Sequence, residues 1–192
     1  MLLACAGVAT SWSSYQASRW GGEQAASYSR ANGLRVESTR AAAGADQLRA
    51  IDVAVFVAWL EAYVAGNERL QALYDERMRE EFKPVFHAWL AFEPLYNEHA
   101  PATPFALPEY RLAKAAEAAL LAEQAEREFA AGSDANERSD AYVLNAVLLA
   151  TMLFFAGIAQ QFKSFPVQAA LLVVAAALLA AGVVNIAVFP KA

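Results

Sequence analysis

The side chains best placed for chemistry in this 192-residue chain are two amides, Asn145 and Asn185, each inside a long run without charged residues. A carboxamide both donates and accepts hydrogen bonds, and in an apolar medium it must find a partner. Counted from the turn near Phe165-Pro166, each lies 20 residues away. The two therefore reach the same depth of a hairpin and can bond across it. Asn185 shares a helix face with Ala177 and Ala181, while Asn145 shares one with Leu149 and Met152. Large residues then meet small ones, as close helix association in a membrane requires. The chemistry implied is an interhelix polar contact or an oligomer contact, with a pore lining as the competing use. No Asp, Glu, Arg or Lys lies inside either run, so a proton relay or ion-coupled carrier has no support.

Other reactive residues are sparse. His87 has Glu80, Glu81 and Glu93 nearby in sequence, and His99 follows Glu98, but no His-x-x-x-His pairing supplies metal-ligand spacing. Cys5 is the single cysteine, which removes internal disulfides and cysteine metal clusters. There is no Gly-x-Ser-x-Gly nucleophile motif and no glycine-rich phosphate loop before a lysine. No catalytic, cofactor-binding or metal residue is assigned, and an enzyme is the least favoured class.

The elements that hold the amides follow from charge. Residues 20–140 carry 12 basic and 20 acidic side chains, a net of −8, whereas 141–192 holds only Lys163 and Lys191. An acidic domain repels phosphate backbones, so no nucleic acid is expected as a partner. Residues 141–162 form an uncharged run of about 33 Å as a helix, enough to cross a hydrocarbon core. A second run has its apolar part at 169–189. Between them lies Lys163-Ser164-Phe165-Pro166, a short turn with a helix breaker. Residues 141–190 thus read as a transmembrane hairpin.

Residues 1–18 carry no side-chain charge but are strongly apolar only to Trp12. A signal peptide would need a basic n-region. Leu2-Leu3-Ala4-Cys5 lies too near the start for a lipoprotein box. The segment reads as an N-terminal transmembrane helix, shortened by a start codon assigned downstream of the true one. Trp12, Tyr15 and Trp20 would form an aromatic belt at its exit, with Arg19 snorkelling beside Trp20 at the headgroup level. Gly21-Gly22 would be a flexible exit.

Residues 19–140 read as an acidic helical extramembrane domain. Leu34, Ala41, Leu48, Val55 and Ala62 repeat every seven residues, with Ser38, Ala45, Asp52 and Trp59 between, a partial heptad of a helix packed along another. Gly66-Asn67 ends it. A second helix carries the apolar stripe Leu70, Leu73, Tyr74, Met78, Phe82, Val85, Phe86, Trp89 and Leu90, with a kink or restart at Pro84. Residues 93–108 form an irregular proline-rich loop. A third helix starts near Pro108-Glu109, shows an alanine-rich face of Ala118, Leu121, Ala122, Ala125 and Phe129, and continues into the first span, with Gly132-Ser133 its one break point. No useful period-2 alternation occurs. The fold class is all-α: a helical-bundle or coiled-coil-like domain between an N-terminal span and a C-terminal two-helix transmembrane hairpin.

Tyr15-Gln16-Ala17-Ser18-Arg19-Trp20-Gly21-Gly22-Glu23-Gln24, Ser139-Asp140-Ala141-Tyr142-Val143-Leu144 and Phe154-Phe155-Ala156-Gly157 resemble segments of uncharacterised small bacterial membrane proteins. The resemblance covers the order of span, helical domain and two spans, and implies no activity. Those relatives usually carry a fuller, basic-flanked first span. The expected setting is the bacterial cytoplasmic (inner) membrane, multi-pass, with the domain extracytoplasmic, although counting Arg19, Arg138 and Lys191 against Lys163 would place it inside. The expected partners are the lipid bilayer and a homo-oligomer or another membrane protein. The function read from this layout is a non-enzymatic membrane protein whose helical domain mediates self-assembly or partner docking. The alternatives are an oligomeric channel or transport component lined by the spans, and a membrane-tethered ligand sensor.

Overall fold

Alanine and leucine dominate the long stretches, and both favour helix. The computed structural model describes residues 2–192. Its helices are α1 (Leu2–Val64), α2 (Glu68–Arg77), α3 (Lys83–Leu90), α4 (Ala113–Ala159) and α5 (Phe165–Val188), with one 3₁₀ turn at Pro104–Ala106. No strand occurs among the described residues. Met1, the first residue of the expected N-terminal span, lies outside them.

Several boundaries differ from the sequence reading. α1 passes through Gly21-Gly22 without a break, so no flexible exit exists there. Of the two outcomes expected at Pro84, the structure shows the restart: α2 stops at Arg77, Met78 turns extended, and α3 begins at Lys83 with Pro84 in its first turn, where no backbone donor is needed. α4 begins at Ala113 rather than Pro108, because Tyr110 is drawn inward onto Phe82 and Phe105 and its N–H closes a turn to Leu107 O at 3.0 Å. Gly132-Ser133 does not interrupt α4. The hairpin turn is tighter than expected: α4 ends at Ala159 and α5 begins at Phe165, against 162 and 169.

The chain divides into two compact units. The unit Gly33–Gln124 takes the heptad stretch of α1. Ala41, Ala45, Asp52, Trp59 and Ala62 are buried there. At its centre Phe56, Trp59, Met78, Phe82, Val85, Phe86 and Trp89 form one cluster. The rings meet edge to face, Trp59 on Phe86 at 4.9 Å and Phe56 on Trp89 at 5.2 Å, an arrangement that aromatic quadrupoles favour. Trp89 Nε1 donates to Pro101 O at 2.7 Å and so ties down the proline-rich loop. Asn67 caps α2 by accepting from Leu70 N at 3.1 Å, and Gly66 supplies the left-handed turn before it with φ +66°.

The other unit comprises the chain up to Asn32 together with Ala125–Ala192. Buried positions on α4 step by three, four or seven: Ala125, Gly132, Ala135, Tyr142, Asn145, Leu149, Met152, Ala156 and Ala159. On α1 they are Ala6, Ser13, Gln16, Ala17, Ser27 and Ala31. Most are small, which lets helix backbones approach. Phe129, expected on the buried face, is exposed and stacks on Tyr28 at 5.2 Å between ring centres.

Gly132 marks the closest approach. A Cβ there would lie 2.6 Å from two ring carbons of Tyr28, whereas a Cβ at helical Gly33 would meet nothing within 4 Å. The two alanine substitutions therefore act in opposite directions. Gly132→Ala lowers unfolding free energy by about 1–3 kcal/mol through overpacking, and Gly33→Ala raises it by roughly 0.5–1 kcal/mol through helix propensity. Denaturant unfolding of the detergent-solubilised chain, followed by circular dichroism, checks both signs.

Candidate functional site

In the unit that holds Ala125–Ala192, two buried polar side chains, Ser13 and Asn145, meet. Asn145 is 1% exposed. Its Nδ2 donates to Ser13 Oγ at 3.0 Å and to Gly182 O at 3.2 Å, and its Oδ1 accepts from Asn185 Nδ2 at 3.0 Å. The orientation of the amide is fixed by chemistry, because the Gly182 carbonyl can only accept. Ser13 in turn donates to Ala9 O at 3.0 Å. α1, α4 and α5 thus share one closed set of hydrogen bonds. Gly182 makes that closure possible, since a Cβ there would lie 2.5 Å from Leu149 Cδ2.

A second layer lies about one turn away along α4, at Tyr142. Its hydroxyl donates to Pro190 O at 3.2 Å, with Phe189 O at 3.4 Å, and its ring meets Phe189 edge to face. Trp20 Nε1 donates to the same Pro190 O at 3.2 Å. Gln16 Oε1 accepts from Ala192 N at 2.9 Å, and Ser139 Oγ donates to Ala17 O at 2.9 Å. Residues 189–192 are therefore strapped onto α1 and α4. A cavity of about 340 Å³ opens beside this strap, lined by Asp134, Glu137, Arg138, Tyr142 and Pro190 among others.

Of the four residues expected as interface anchors, three stay on the surface. Trp12 and Tyr15 are exposed with ring centres 5.9 Å apart, and Arg19 is exposed. Trp20 is drawn in by its bond to Pro190 and is covered by the Arg138 guanidinium at 4.6 Å from the ring centre. Ser13 and Gln16 were not singled out in the sequence. Their signal was present as spacing: Ala6, Ser13 and the Gln16-Ala17 pair share one face of α1.

The Gly33–Gln124 unit holds a different polar centre, which the sequence reading did not assemble. Asp52 is 1% exposed and receives two bonds from Arg79, Nε and Nη2, each 2.8 Å, and one from Tyr110 Oη at 2.9 Å. This fork against a carboxylate is the strong geometry for arginine. Pairing with Asp52 holds the Arg79 guanidinium pKa above its ordinary value. Burial, and then the bond to Asp52, push the Tyr110 hydroxyl up to about 12. His87 meets Asp75, Nε2 to Oδ1 3.1 Å, while Glu80 and Glu81 pair with Lys83 and Arg79. Among the described residues no three His, Cys, Asp or Glu side chains gather as a metal site.

No protein-family model, curated protein or solved structure matches the chain.

Two measurements follow from these geometries. Asn145→Leu removes three interhelix bonds and Asn185→Leu removes one. Unfolding of the detergent-solubilised chain should show a loss of about 1–2 kcal/mol for the first and roughly 0.6 kcal/mol for the second. For Tyr110, the folded-state pKa lies above the ordinary value of 10.0, so its contribution to stability is intact below that pH and is lost as pH rises toward about 12. Tyrosinate absorbance should show one fewer late-ionising tyrosine in Tyr110→Phe than in the unmodified chain, and the stability gap between the two chains should narrow above pH 10.

Proposed function

We propose that the chain is a non-enzymatic, multi-pass protein of the bacterial cytoplasmic membrane, whose helical domain mediates self-assembly or docking to a membrane partner. The observation that carries this reading is how little of the apolar helices is covered. Among the described residues α4 and α5 are long and apolar enough to cross a membrane, yet only 28% and 11% of their most apolar stretches are buried. A core helix of a water-soluble protein would be covered on most sides. Instead Leu144, Val147, Phe154, Val173, Val183 and Val184 stand exposed, a surface suited to lipid. The N-terminal part of α1 joins them as a third spanning segment on this reading, with Ser13 turned toward Asn145.

The amide network supports an anchor over a transport path. Both Nδ2 hydrogens and the Oδ1 of Asn145 are engaged by the protein itself, so this side chain is committed to joining α1, α4 and α5. The hairpin carries no charged side chain between Ala141 and Phe162, in keeping with an assembly surface.

Alkaline carbonate extraction of membranes from expressing cells should leave the chain in the pellet, and its release to the supernatant overturns the membrane reading. For orientation, Cys5 is replaced and single cysteines are placed at Ala100 and Ser164. An impermeant thiol reagent on spheroplasts should label Ala100→Cys and spare Ser164→Cys; the reverse places the domain inside. Liposomes holding the purified chain should show no solute flux, and flux that Asn145→Leu abolishes would establish the channel alternative.

A further inference from the structure

We propose that the groove between the N-terminal stretch of α1 and the C-terminal end of α5 binds one anionic phospholipid, with an acyl chain along the groove and the phosphate on Lys191 and Arg19. The proposal rests on the membrane reading above. The groove is open along one side, with a volume of about 710 Å³, and Cys5, Val8, Trp12, Val183, Ile186 and Lys191 are among its lining residues. Its wall is apolar apart from that one ammonium, and no carboxylate lines it.

Lys191 is held in place rather than trailing. On one side of it Pro190 O accepts from Trp20 Nε1 and Tyr142 Oη, and on the other Ala192 N donates to Gln16 Oε1. The backbone is tied on both flanks, which holds the Lys191 backbone at one end of the groove. Trp12 lines the groove, and Tyr15 and then Arg19 follow it along α1 at helical spacing, Arg19 two turns or about 10 Å on. Trp12 and Tyr15 present amphipathic rings, and Arg19 and Lys191 present cations, the order expected from acyl chain to headgroup. Among the described residues neither cation has an ion-pair partner.

The charge also selects the occupant. A second copy of the hairpin would have to bring an acidic side chain to Lys191 and Arg19, and residues 141–192 contain no Asp or Glu. An anionic phospholipid brings a chain and a negative headgroup together. Basic pockets beside spanning helices recognise such headgroups, at about 1 kcal/mol or roughly fivefold per cation.

The test uses the full chain in phosphatidylcholine bilayers doped with acyl-spin-labelled phosphatidylglycerol or acyl-spin-labelled phosphatidylcholine. The immobilised spectral component should favour phosphatidylglycerol by at least fivefold. Lys191→Gln and Arg19→Gln, both surface changes, should each reduce that preference about fivefold. Ile186→Trp, which fills the groove, should remove the immobilised component of both lipids. Equal immobilisation of the two lipids by the unmodified chain overturns the site, and so does a preference that survives both charge substitutions. A disulfide-linked dimer formed through Cys5 with no immobilised lipid overturns it in favour of a second copy. A chain that enters the bilayer without headgroup preference refutes the lipid site alone, whereas a chain released by alkaline carbonate refutes the membrane reading beneath it.

Discussion

A carboxamide in an apolar interior has two hydrogens and an oxygen that water no longer serves, and leaving them unpaired costs several kcal/mol. Asn145 sits under that constraint, and its three bonds answer it on two other helices: Ser13 on α1, Gly182 and Asn185 on α5. The consequences spread outward. The bond to Ser13 fixes which face of α1 turns inward, and that face brings Ala6, Ala17 and Ser27 into cover. The bond to Gly182 draws the α5 backbone against α4 until Leu149 fills the space a side chain would take. With α1 and α4 so rotated, Gln16, Trp20 and Tyr142 converge on residues 189–192 and strap them down.

The two units solve the problem of buried polarity in different ways. Where the sequence is almost without charge, the solution is neutral: amide to amide, amide to hydroxyl, amide to carbonyl. Where the sequence is acidic, the buried carboxyl of Asp52 has the Arg79 fork on one side and the Tyr110 hydroxyl on the other. Taking an isolated carboxylate out of water is prohibitive, and a bidentate partner with a further donor offsets that penalty. Tyr110 links this centre to the aromatic cluster, since its ring lies against Phe82 and Phe105. The same inward pull delays the start of α4.

Much of the helical framework was legible in the sequence because it is written in spacing. The heptad positions Ala41, Ala45, Asp52, Trp59 and Ala62 are buried, as a 3.5-residue period requires. The aromatic stripe from Met78 to Trp89 forms a core. The equal distances of Asn145 and Asn185 from the turn were enough to pair them. What was missed involves residues whose local and tertiary preferences conflict. Gly21-Gly22 suggests a break, yet a helix packed along its length tolerates two glycines at about 1 kcal/mol each. Ser13 looked like decaying hydropathy, because a serine donating to the carbonyl four residues back hides its polarity from water but not from a hydropathy sum. The Asp52–Arg79–Tyr110 group joins positions 27 and 58 residues apart, and no local pattern records such a meeting.

The inward-turned polar side chains of α1 carry a consequence for how such a protein is made. Thr10, Ser11 and Ser13 bond back to their own helix, but Gln16 depends on Ala192, and Ser13 meets its second partner only in Asn145. Alone, this stretch partitions poorly into hydrocarbon, and it falls short of the apolarity that α4 and α5 reach. On the membrane reading its host is created by the hairpin, which is translated later. On that reading the second partner of Ser13 exists only once Asn145, far later in the chain, has been made.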